Sequence, residues 1–504
     1  MRRIDALLSA RGVWLFWLTY SVCFAVIRYV ASGNLSKDDA RENELVQAIA
    51  LGYQTRQPPL FEWILWGVQQ GVGTGIVSHL LVRYVAIVAI GLAAYAVARA
   101  ITGDARWAAA ASMSYAFTGF FGWVLHEWLT QSLLVSIACI VSLGAMLTFL
   151  HKPSTSRALV LGVAIGFGLM SKFNYLLYLG GLVLAVASRS ETRARLADRR
   201  LLLSCVVAAA CCVPYLWWLT TVHGDLVGMT SHVLGTSEKP HLIRALLGLG
   251  SIVASLVDFF SVGWILLAVL GWPAFYPPHD RRPAPSIDER IAGRAVVMAI
   301  ALAAISIALV GASKIETRYV CPLLATVPIW ACARIARLAP EPRRLRRIAA
   351  TAVSCAALLF AVRVLTFFDT EVSTRLSSYR VVRDYREFTV PYDGLAAELE
   401  AHGVTGGTLV AAGIREAGNM RAYLPDLRVI SGDSSRIEPP PRRAGDQGGC
   451  VFLWKDDERD VMRRWAQHDL ASAVRLAVTT STMWGSRHGV WYLLRADPRS
   501  PICA

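Results

Sequence analysis

Long apolar runs recur along the first 368 residues, and short polar segments separate them. Windows of about 20 apolar residues are long enough to cross a bilayer core of roughly 30 Å. The pattern therefore predicts an all-α polytopic membrane protein with about eleven transmembrane helices. We place the spans at residues 13–30, 79–98, 107–123, 129–150, 158–170, 174–188, 201–221, 245–271, 295–311, 319–336 and 348–367. Asp258, in the eighth span, is either a buried charge or the mark of a break there.

The first loop, residues 31–78, carries a second pattern. A set of apolar residues recurs there at helical spacing, opposite a polar side. These apolar residues are Leu45, Val46, Ile49, Ala50 and Tyr53. The spacing predicts an amphipathic helix that lies along the membrane surface. Pro58 and Pro59 end this helix, and the apolar run 60–66 begins a second one.

The last part of the chain, residues 369–504, has short apolar runs with turn residues between them. The runs are 408–412, 427–430, 451–454 and 490–494, and a helical stretch at Asp393–Ala401 precedes them. This alternation predicts a small α/β domain outside the membrane. We therefore divide the chain into a transmembrane catalytic domain, 1–368, and an extracytoplasmic α/β domain, 369–504.

The basic residues lie mainly on one side of the predicted membrane layout. With a cytoplasmic N-terminus, the cytoplasmic segments hold 22 Lys and Arg residues and the opposite segments of the membrane part hold 8. This bias follows the positive-inside rule and places the first loop and the C-terminal domain on the periplasmic side. The C-terminal domain has 18 basic and 18 acidic residues, so the net charge of +15 belongs to the membrane part. Nucleic acid is therefore excluded as a partner, because no basic soluble domain exists to bind it.

The cysteines differ between the two parts of the chain. Eight of the ten precede residue 356, in or beside apolar spans, where they are expected to act as small hydrophobic side chains. Cys450 and Cys503 are the two in the predicted periplasmic domain, where the compartment permits a disulfide between them.

Two adjacent acids, Asp38 and Asp39, stand where the first-loop helix begins. Acidic residues at this position commonly cap a helix or interact with its dipole. A carboxylate held at the membrane face near a basic group also suits a general base. The spacing leaves both interpretations open.

Further polar residues lie in or near the predicted outer loops. His126 and Glu127 belong either to a solvated loop or to the same pocket as Asp38. Lys172 in a tight turn either extends to the membrane surface or binds phosphate. Arg318, next to Tyr319, is a second basic residue on the less basic side. Charges inside spans are expensive, so Arg28 and Arg83 are also site candidates.

Several of these stretches resemble the GT-C glycosyltransferases, and within them the protein O-mannosyltransferase and lipid A aminoarabinose transferase superfamily. The first loop has the acid pair, Gly52-Tyr53 and Gln57-Pro58-Pro59-Leu60. The segment Gly162–Asn174 resembles the Gly-rich span of that superfamily, which ends in Thr-Lys. Arg318-Tyr319-x-x-Pro322 resembles its late Arg-Tyr motif, and Gly418–Ile430 resembles the outer domain of bacterial members.

The resemblance implies roles for the first-loop residues. Asp38 matches the acid proposed as catalytic base, and Asp39 matches its acidic neighbour. Arg41 matches an arginine that holds the lipid phosphate. Gln57 stands where those enzymes have the lysine of Lys-Pro-Pro, so Arg56 is the expected substitute. His126-Glu127 stands where relatives often have an aspartate.

The implied activity is transfer of a sugar from a polyprenyl-phosphate donor to a lipid, glycan or protein acceptor, in the bacterial inner membrane. The anionic leaving phosphate requires fixed cations. The candidates are Arg41, Arg56, Lys172 and Arg318. No cofactor is required, and a divalent metal is allowed but not demanded. A transporter or flippase of a lipid-linked substrate is the alternative, and inverted repeats, which we do not find, would favour it.

Overall fold

The structure is a computed structural model of the chain. It describes residues 2–503 except 56, 128–129, 222–238, 261, 273, 276–282, 379–387, 433–437, 443–448, 456–471, 483–484 and 497–502.

Most of the described chain is α-helical. In chain order the helices are α1 Arg2–Leu7, α2 Ala10–Ala31, α3 Lys37–Leu45, α4 Leu60–Val72, α5 Ile76–Thr102, α6 Ala105–Met113, α7 Leu125–Glu127, α8 Thr130–His151, α9 Thr155–Ser171, α10 Tyr175–Ala187, α11 Ser190–Arg193, α12 Arg200–Thr221, α13 His241–Phe259, α14 Val262–Gly271, α15 Ile287–Val310, α16 Thr317–Val320, α17 Val327–Leu338, α18 Pro342–Phe368, α19 Thr370–Ser378, α20 Tyr392–Ala401 and α21 Ile414–Tyr423. Within the described residues, eight helical segments are long and apolar enough to cross a membrane. Two shorter apolar helices, α9 and α10, match the fifth and sixth predicted spans.

Three of the predicted spans contain breaks. The third continues from α6 into a 3₁₀ turn, Ser114–Phe117, and a π-helical turn, Phe120–Val124. The eighth divides at Phe260 between α13 and α14, which confirms that Asp258 marks a break. The tenth has a 3₁₀ turn, Cys321–Leu324, between α16 and α17. Pro322 lies in that turn and cannot donate a backbone hydrogen bond.

The chain packs as two compact units. The first comprises Met1–Val22, Thr55–Leu60 and Tyr84–Leu359, and the second comprises Cys23–Gln54, Phe61–Arg83 and Phe360–Ala504. The second unit thus includes much of the first loop, which the predicted boundary at residue 368 assigns to the membrane domain.

In the first unit, glycines allow helices to approach closely. A Cβ at Gly162 would lie 2.8 Å from the Ser204 carbonyl oxygen of α12, and one at Gly181 would lie 2.6 Å from the Ala295 carbonyl oxygen of α15. Small residues at such positions are typical of packed membrane helices. The Gly-rich stretch noted in the sequence therefore packs α9 against α12.

The second unit contains a five-stranded sheet in the order β2-β1-β3-β5-β4. The strands are β1 Thr408–Ala411, β2 Arg428–Ser431, β3 Cys450–Lys455, β4 Val474–Thr482 and β5 Gly485–Ala496. β1 is parallel to both neighbours, β2 and β3, whereas β5 is antiparallel to β3 and β4. The predicted α/β domain is confirmed, although β4 was not predicted.

Both faces of the sheet are covered. Helices α20 and α21 pack on one face through Leu395, Leu399 and Met420. The other face buries Phe452, Trp454 and the disulfide between Cys450 and Cys503. The disulfide hypothesis is thus confirmed, and the eight remaining cysteines are free.

The predicted surface helix in the first loop is wrong. Helix α3 ends at Leu45, and both its apolar and its polar residues are buried. Its polar side packs against α21, and Gly418 permits the approach, because a Cβ there would lie 2.1 Å from the Ala40 carbonyl oxygen. Ile49, which was expected on the buried side of that helix, is exposed instead. The second predicted helix is present as α4, whose residues Phe61 and Leu65 are buried.

Candidate functional site

Helix α3 begins with a side-chain cap that fixes its two acids. Ser36 is the N-cap, and its hydroxyl oxygen accepts a hydrogen bond from the Asp39 backbone N–H. The same hydroxyl donates to Asp39 Oδ2 at 2.8 Å. The capping residue is therefore Ser36, and both Asp38 and Asp39 lie in the first turn, where the helix dipole favours negative charge.

Asp39 forms a buried ion pair. Arg83 Nη2 donates to Asp39 Oδ1 at 2.7 Å, and both side chains are almost fully buried. Burial alone would raise the pKa of Asp39, but the Arg83 guanidinium and the Ser36 hydroxyl outweigh it and hold the pKa below its ordinary value of 3.8. Asp39 is therefore a charged acid whose two oxygens are both engaged.

Asp38 has a different environment. Its nearest cation is Arg41, one turn along α3, with 3.7 Å between Arg41 Nη1 and Asp38 Oδ1. No described residue donates a hydrogen bond to the Asp38 carboxylate, and its side chain retains 11% exposure. Asp38 is thus the less engaged of the two acids.

A histidine that the sequence did not indicate adjoins the acid pair. His79 Nδ1 lies 3.7 Å from Asp39 Oδ1, and neither ring nitrogen has a hydrogen-bond partner among the described residues. His79 and Arg83 are four residues apart on α5 and therefore share a helix face. The position of His79, one helical turn before a charged residue inside a predicted span, is the sequence signal that could identify it.

Side chains from the C-terminal domain hold the end of α3. Arg421 of α21 donates to the backbone oxygens of Asn43 and Val46, at 2.5 and 3.1 Å, and to Asn43 Oδ1 at 2.9 Å. Gln69 of α4 donates to the same Asn43 Oδ1 at 2.8 Å. Asn43 in turn donates to the Gly418 carbonyl oxygen. The last turn of α3 is therefore fixed from two other helices.

Side chains of the first loop also form hydrogen bonds with the backbone of the edge strand β2. Gln47 exchanges two hydrogen bonds with the backbone of Val429, at 2.7 and 2.8 Å. Glu44 Oε1 accepts from the Ser431 backbone N–H at 2.9 Å. Since β2 is at the edge of the sheet, these side chains satisfy groups that an edge strand leaves open. Asp38 and Asp39 thus lie on a helix that is anchored to a sheet.

Arg28, a candidate from within the first span, is engaged by the backbone. It donates to the carbonyl oxygens of Ser32 and Asn34, and its guanidinium lies 4.2 Å from the ring centre of Phe388. These contacts fix the start of the first loop. Its role is therefore structural in this geometry.

The first unit brings the other predicted cations together. Lys172 Nζ donates to Ser132 Oγ at 3.2 Å and lies 4.4 Å from the ring centre of Tyr319. Arg318 Nε lies 2.5 Å from Glu316 Oε2. Asn174 Nδ2 donates to the Tyr319 carbonyl oxygen at 2.8 Å. The Lys-containing and Arg-Tyr motifs are thus neighbours.

His126 does not lie in a solvated loop. It is 4% exposed, and its Nε2 and Nδ1 lie 2.7 and 3.3 Å from the hydroxyls of Tyr20 and Tyr84. The solvated-loop interpretation is therefore wrong for His126, which packs between two tyrosines in the first unit. Glu127 is the last residue of α7, and its side chain lies outside the described part of the structure.

The two residues before Pro58 differ in what the structure describes. Gln57 Oε1 is buried and accepts no hydrogen bond from the described residues. Arg56 lies outside the described residues. Across the described ranges, no group of three or more His, Cys, Asp or Glu side chains is arranged to hold a metal ion.

Three comparisons with known proteins agree with the resemblance noted in the sequence. Residues 56–218 match the model of the dolichyl-phosphate-mannose-protein mannosyltransferase family. The structure is similar to ArnT from Cupriavidus metallidurans bound to undecaprenyl phosphate, with a TM-score of 0.63, 13% identity and coverage of 96% of this chain and 98% of that one. The apo structure of ArnT gives a TM-score of 0.60 with the same identity and coverage. The resemblance to the GT-C glycosyltransferases is thereby confirmed.

Two curated proteins are similar to this chain over most of their length. The lipopolysaccharide core galacturonosyltransferase RgtB of Rhizobium johnstonii is 23% identical over 430 residues, which cover 84% of each chain. The lipopolysaccharide core galacturonosyltransferase RgtA of the same organism is 24% identical over 453 residues, covering 86% of this chain and 85% of that protein. Both names describe glycosyltransferases.

Proposed function

We propose that this protein transfers a sugar from a polyprenyl-phosphate donor to an acceptor at the periplasmic face of the bacterial inner membrane. The N-terminus is cytoplasmic and the C-terminal domain is periplasmic, as the bias of basic residues predicts. The solved ArnT structure with bound undecaprenyl phosphate supports a donor of this class. The acceptor is a lipid, a glycan or a protein.

The single observation that carries the mechanism is the difference between Asp38 and Asp39. Asp39 is bound by Arg83 and Ser36, whereas Asp38 has a loose ion pair with Arg41. In the proposed reaction the Asp38 carboxylate takes the proton of the acceptor hydroxyl or amine as its oxygen or nitrogen attacks the sugar's anomeric carbon. The bond between that carbon and the phosphate oxygen breaks, and the polyprenyl phosphate leaves with the electron pair. Asp39 positions α3 and does not exchange a proton.

Fixed cations stabilise the phosphate that leaves. We assign this role to Lys172 and Arg318, and in the first loop to Arg41 and Arg56. Lys172 is held by Ser132 and by the ring of Tyr319, so its charge has a defined position. Donors fixed before the reaction lower the barrier most, because they need no rearrangement when charge develops. Gln57, His126 and Glu127 are proposed as further residues of the pocket that binds the donor.

The curated relatives suggest a class for the sugar and the acceptor. Both are named as galacturonosyltransferases that act on the lipopolysaccharide core. We therefore propose a hexuronosyl donor and a lipopolysaccharide-type acceptor as the first pair to assay.

The test is transfer in a defined membrane. The purified full chain is reconstituted in liposomes with polyprenyl-phosphate-linked galacturonic acid and deacylated or intact lipopolysaccharide. The proposal expects labelled sugar to appear on the acceptor, and no transfer when the nucleotide-linked sugar replaces the lipid-linked donor. Movement of the intact donor across the bilayer without transfer would favour the flippase alternative and contradict the proposal.

A further inference from the structure

A cavity of about 420 Å³ lies within the first unit, and arginine side chains form part of its lining. It is bordered by the N-terminal half of α15 and by α17. Its lining residues are Phe260, Pro285, Glu289, Arg290, Gly293, Arg294, Val296, Val297, Met298, Val327, Trp330 and Arg334. A volume of this size is within the range of pockets that bind small molecules.

The cavity is separate from the candidate phosphate-binding cations. Arg318 is the second residue of the helical segment Thr317–Leu338, whereas Trp330 and Arg334 lie in its second half. At a rise of about 1.5 Å per residue, the 16 residues from Arg318 to Arg334 correspond to about 24 Å along that segment. This separation places the Arg334 end of the cavity toward the opposite membrane face from Arg318.

The charges around the cavity do not balance. Glu289 is neutralised by Arg337, which donates to both of its carboxylate oxygens, at 2.7 and 2.6 Å. Arg290 donates to the Pro285 carbonyl oxygen, and Arg294 donates to the Ser188 hydroxyl. Among the described residues, neither Arg290 nor Arg294 has a carboxylate partner. The rim of the cavity is therefore positively charged.

The apolar part of the lining includes Val297 of α15 and Phe260, at the break between α13 and α14. Arg290 and Arg294 occupy the first two turns of α15, and Val297 follows on the next turn. Val297 is 66% exposed and Phe260 is 40% exposed, although α15 is long and apolar enough to cross a membrane. Both side chains are thus accessible from the surface of the first unit. A cationic rim at the helix end with an apolar wall below it matches an amphiphile with an anionic head.

We propose that this cavity binds an anionic phospholipid of the cytoplasmic leaflet. The lipid phosphate bonds to Arg290 and Arg294, and an acyl chain runs along Val297 and Phe260. Basic pockets between membrane helices on the cytoplasmic side are suited to such head groups. A zwitterionic lipid brings a second charge of positive sign and is disfavoured at the same rim. This site is independent of the transfer reaction, because none of its residues belongs to the proposed catalytic machinery.

The test compares two pairs of arginines in the full chain. The purified protein is delipidated and titrated with phosphatidylglycerol or phosphatidylcholine, and bound lipid is counted by native mass spectrometry. The variant Arg290→Gln/Arg294→Gln is compared with Arg343→Gln/Arg347→Gln, which removes the same charge from two exposed arginines of α18. The proposal expects phosphatidylglycerol binding to the wild type and to the α18 variant, and at least about tenfold weaker binding to the α15 variant.

Two controls separate a lipid site from other outcomes. A melting measurement without lipid shows whether the α15 variant is folded. In addition, phosphatidylglycerol with a photoreactive acyl chain is crosslinked to the wild-type protein, and the labelled peptide is expected to contain Val297 or Phe260. The proposal would be overturned if phosphatidylcholine bound as tightly as phosphatidylglycerol, or if the α18 variant lost as much lipid binding as the α15 variant. It would also be overturned if the crosslinker labelled only peptides without Val297 and Phe260, or if inorganic phosphate alone displaced the bound lipid.

Discussion

Arg83 donates to Asp39 across 2.7 Å, from a membrane helix to the first turn of α3. The pair is almost fully buried, so the two charges depend on each other. Removing one partner of a buried pair typically costs about 3–5 kcal/mol, because the other charge is left without compensation. This relationship separates Asp39, which is held in the ion pair, from Asp38, which we propose as the general base.

The first prediction concerns this pair. Arg83→Met should lower the free energy of unfolding by about 3–5 kcal/mol, because Asp39 then remains charged and buried. The double variant Arg83→Met/Asp39→Leu removes both charges and should recover most of that loss. Thermal melting of the purified variants measures both effects. If the single and double variants melt together below the wild type, the charge pair is not the cause of the loss.

The second prediction concerns pH. Because the folded-state pKa of Asp39 is below its ordinary value, the ion pair contributes stability above the unfolded pKa, and this contribution is lost as pH falls through the folded value. The stability advantage of the wild type over Asp39→Asn should therefore be constant from pH 7 to about 4, where the unfolded acid titrates. It should shrink only below that range. A difference that already declines between pH 7 and 5 would disprove the lowered pKa.

The third prediction tests the packing of the first loop against α21. Gly418→Ala places a Cβ 2.1 Å from the Ala40 carbonyl oxygen, so α3 or α21 must move. Overpacking of this kind costs about 1–3 kcal/mol. Gly449→Ala is the matched control in the same domain, since a Cβ there has no heavy atom within 4 Å. Melting temperatures of the two variants should differ, and equal values would show that this close contact does not matter.

The fourth prediction concerns the donor phosphate. Lys172→Met should raise the KM for the polyprenyl-phosphate donor about 10–100-fold, the equivalent of one charged hydrogen bond of about 1.5–3 kcal/mol. Lys172→Arg should retain part of the binding. Lys152→Met removes an exposed lysine and should leave transfer kinetics unchanged. An unchanged KM in Lys172→Met, at normal protein level, would exclude this lysine from phosphate binding.

The sequence predicted the elements whose signals are local. The short apolar runs of the C-terminal domain correspond to β1, β2, β3 and part of β5, and Asp393–Ala401 lies within α20. β4 has only a three-residue apolar run, Leu476–Val478, with Arg475 before it and Thr479 after it. So short a run is a weaker signal than the longer apolar runs of the other strands.

The candidate site could be predicted only in part, because its packing comes from distant residues. Charge and position in the sequence indicate the acid pair, Arg83, Lys172 and Arg318 as candidates. The burial of α3 was not, since it depends on Arg421 and Gly418, more than 370 positions later in the chain. The polar side of a helix can be covered by water or by another polar helix, and the sequence pattern does not distinguish the two. The buried position of His126 depends in the same way on Tyr20, over 100 residues earlier.

The most direct measurement of the central claim compares transfer rates of Asp38→Asn and Asp39→Asn. Asp38→Asn keeps the shape of the side chain but removes the proton acceptor. It should lower the transfer rate at least about a hundredfold, with a melting temperature close to that of the wild type. Asp39→Asn should instead lower the melting temperature. Near-normal transfer by Asp38→Asn, at an unchanged protein level, would contradict the assignment of Asp38 as the base.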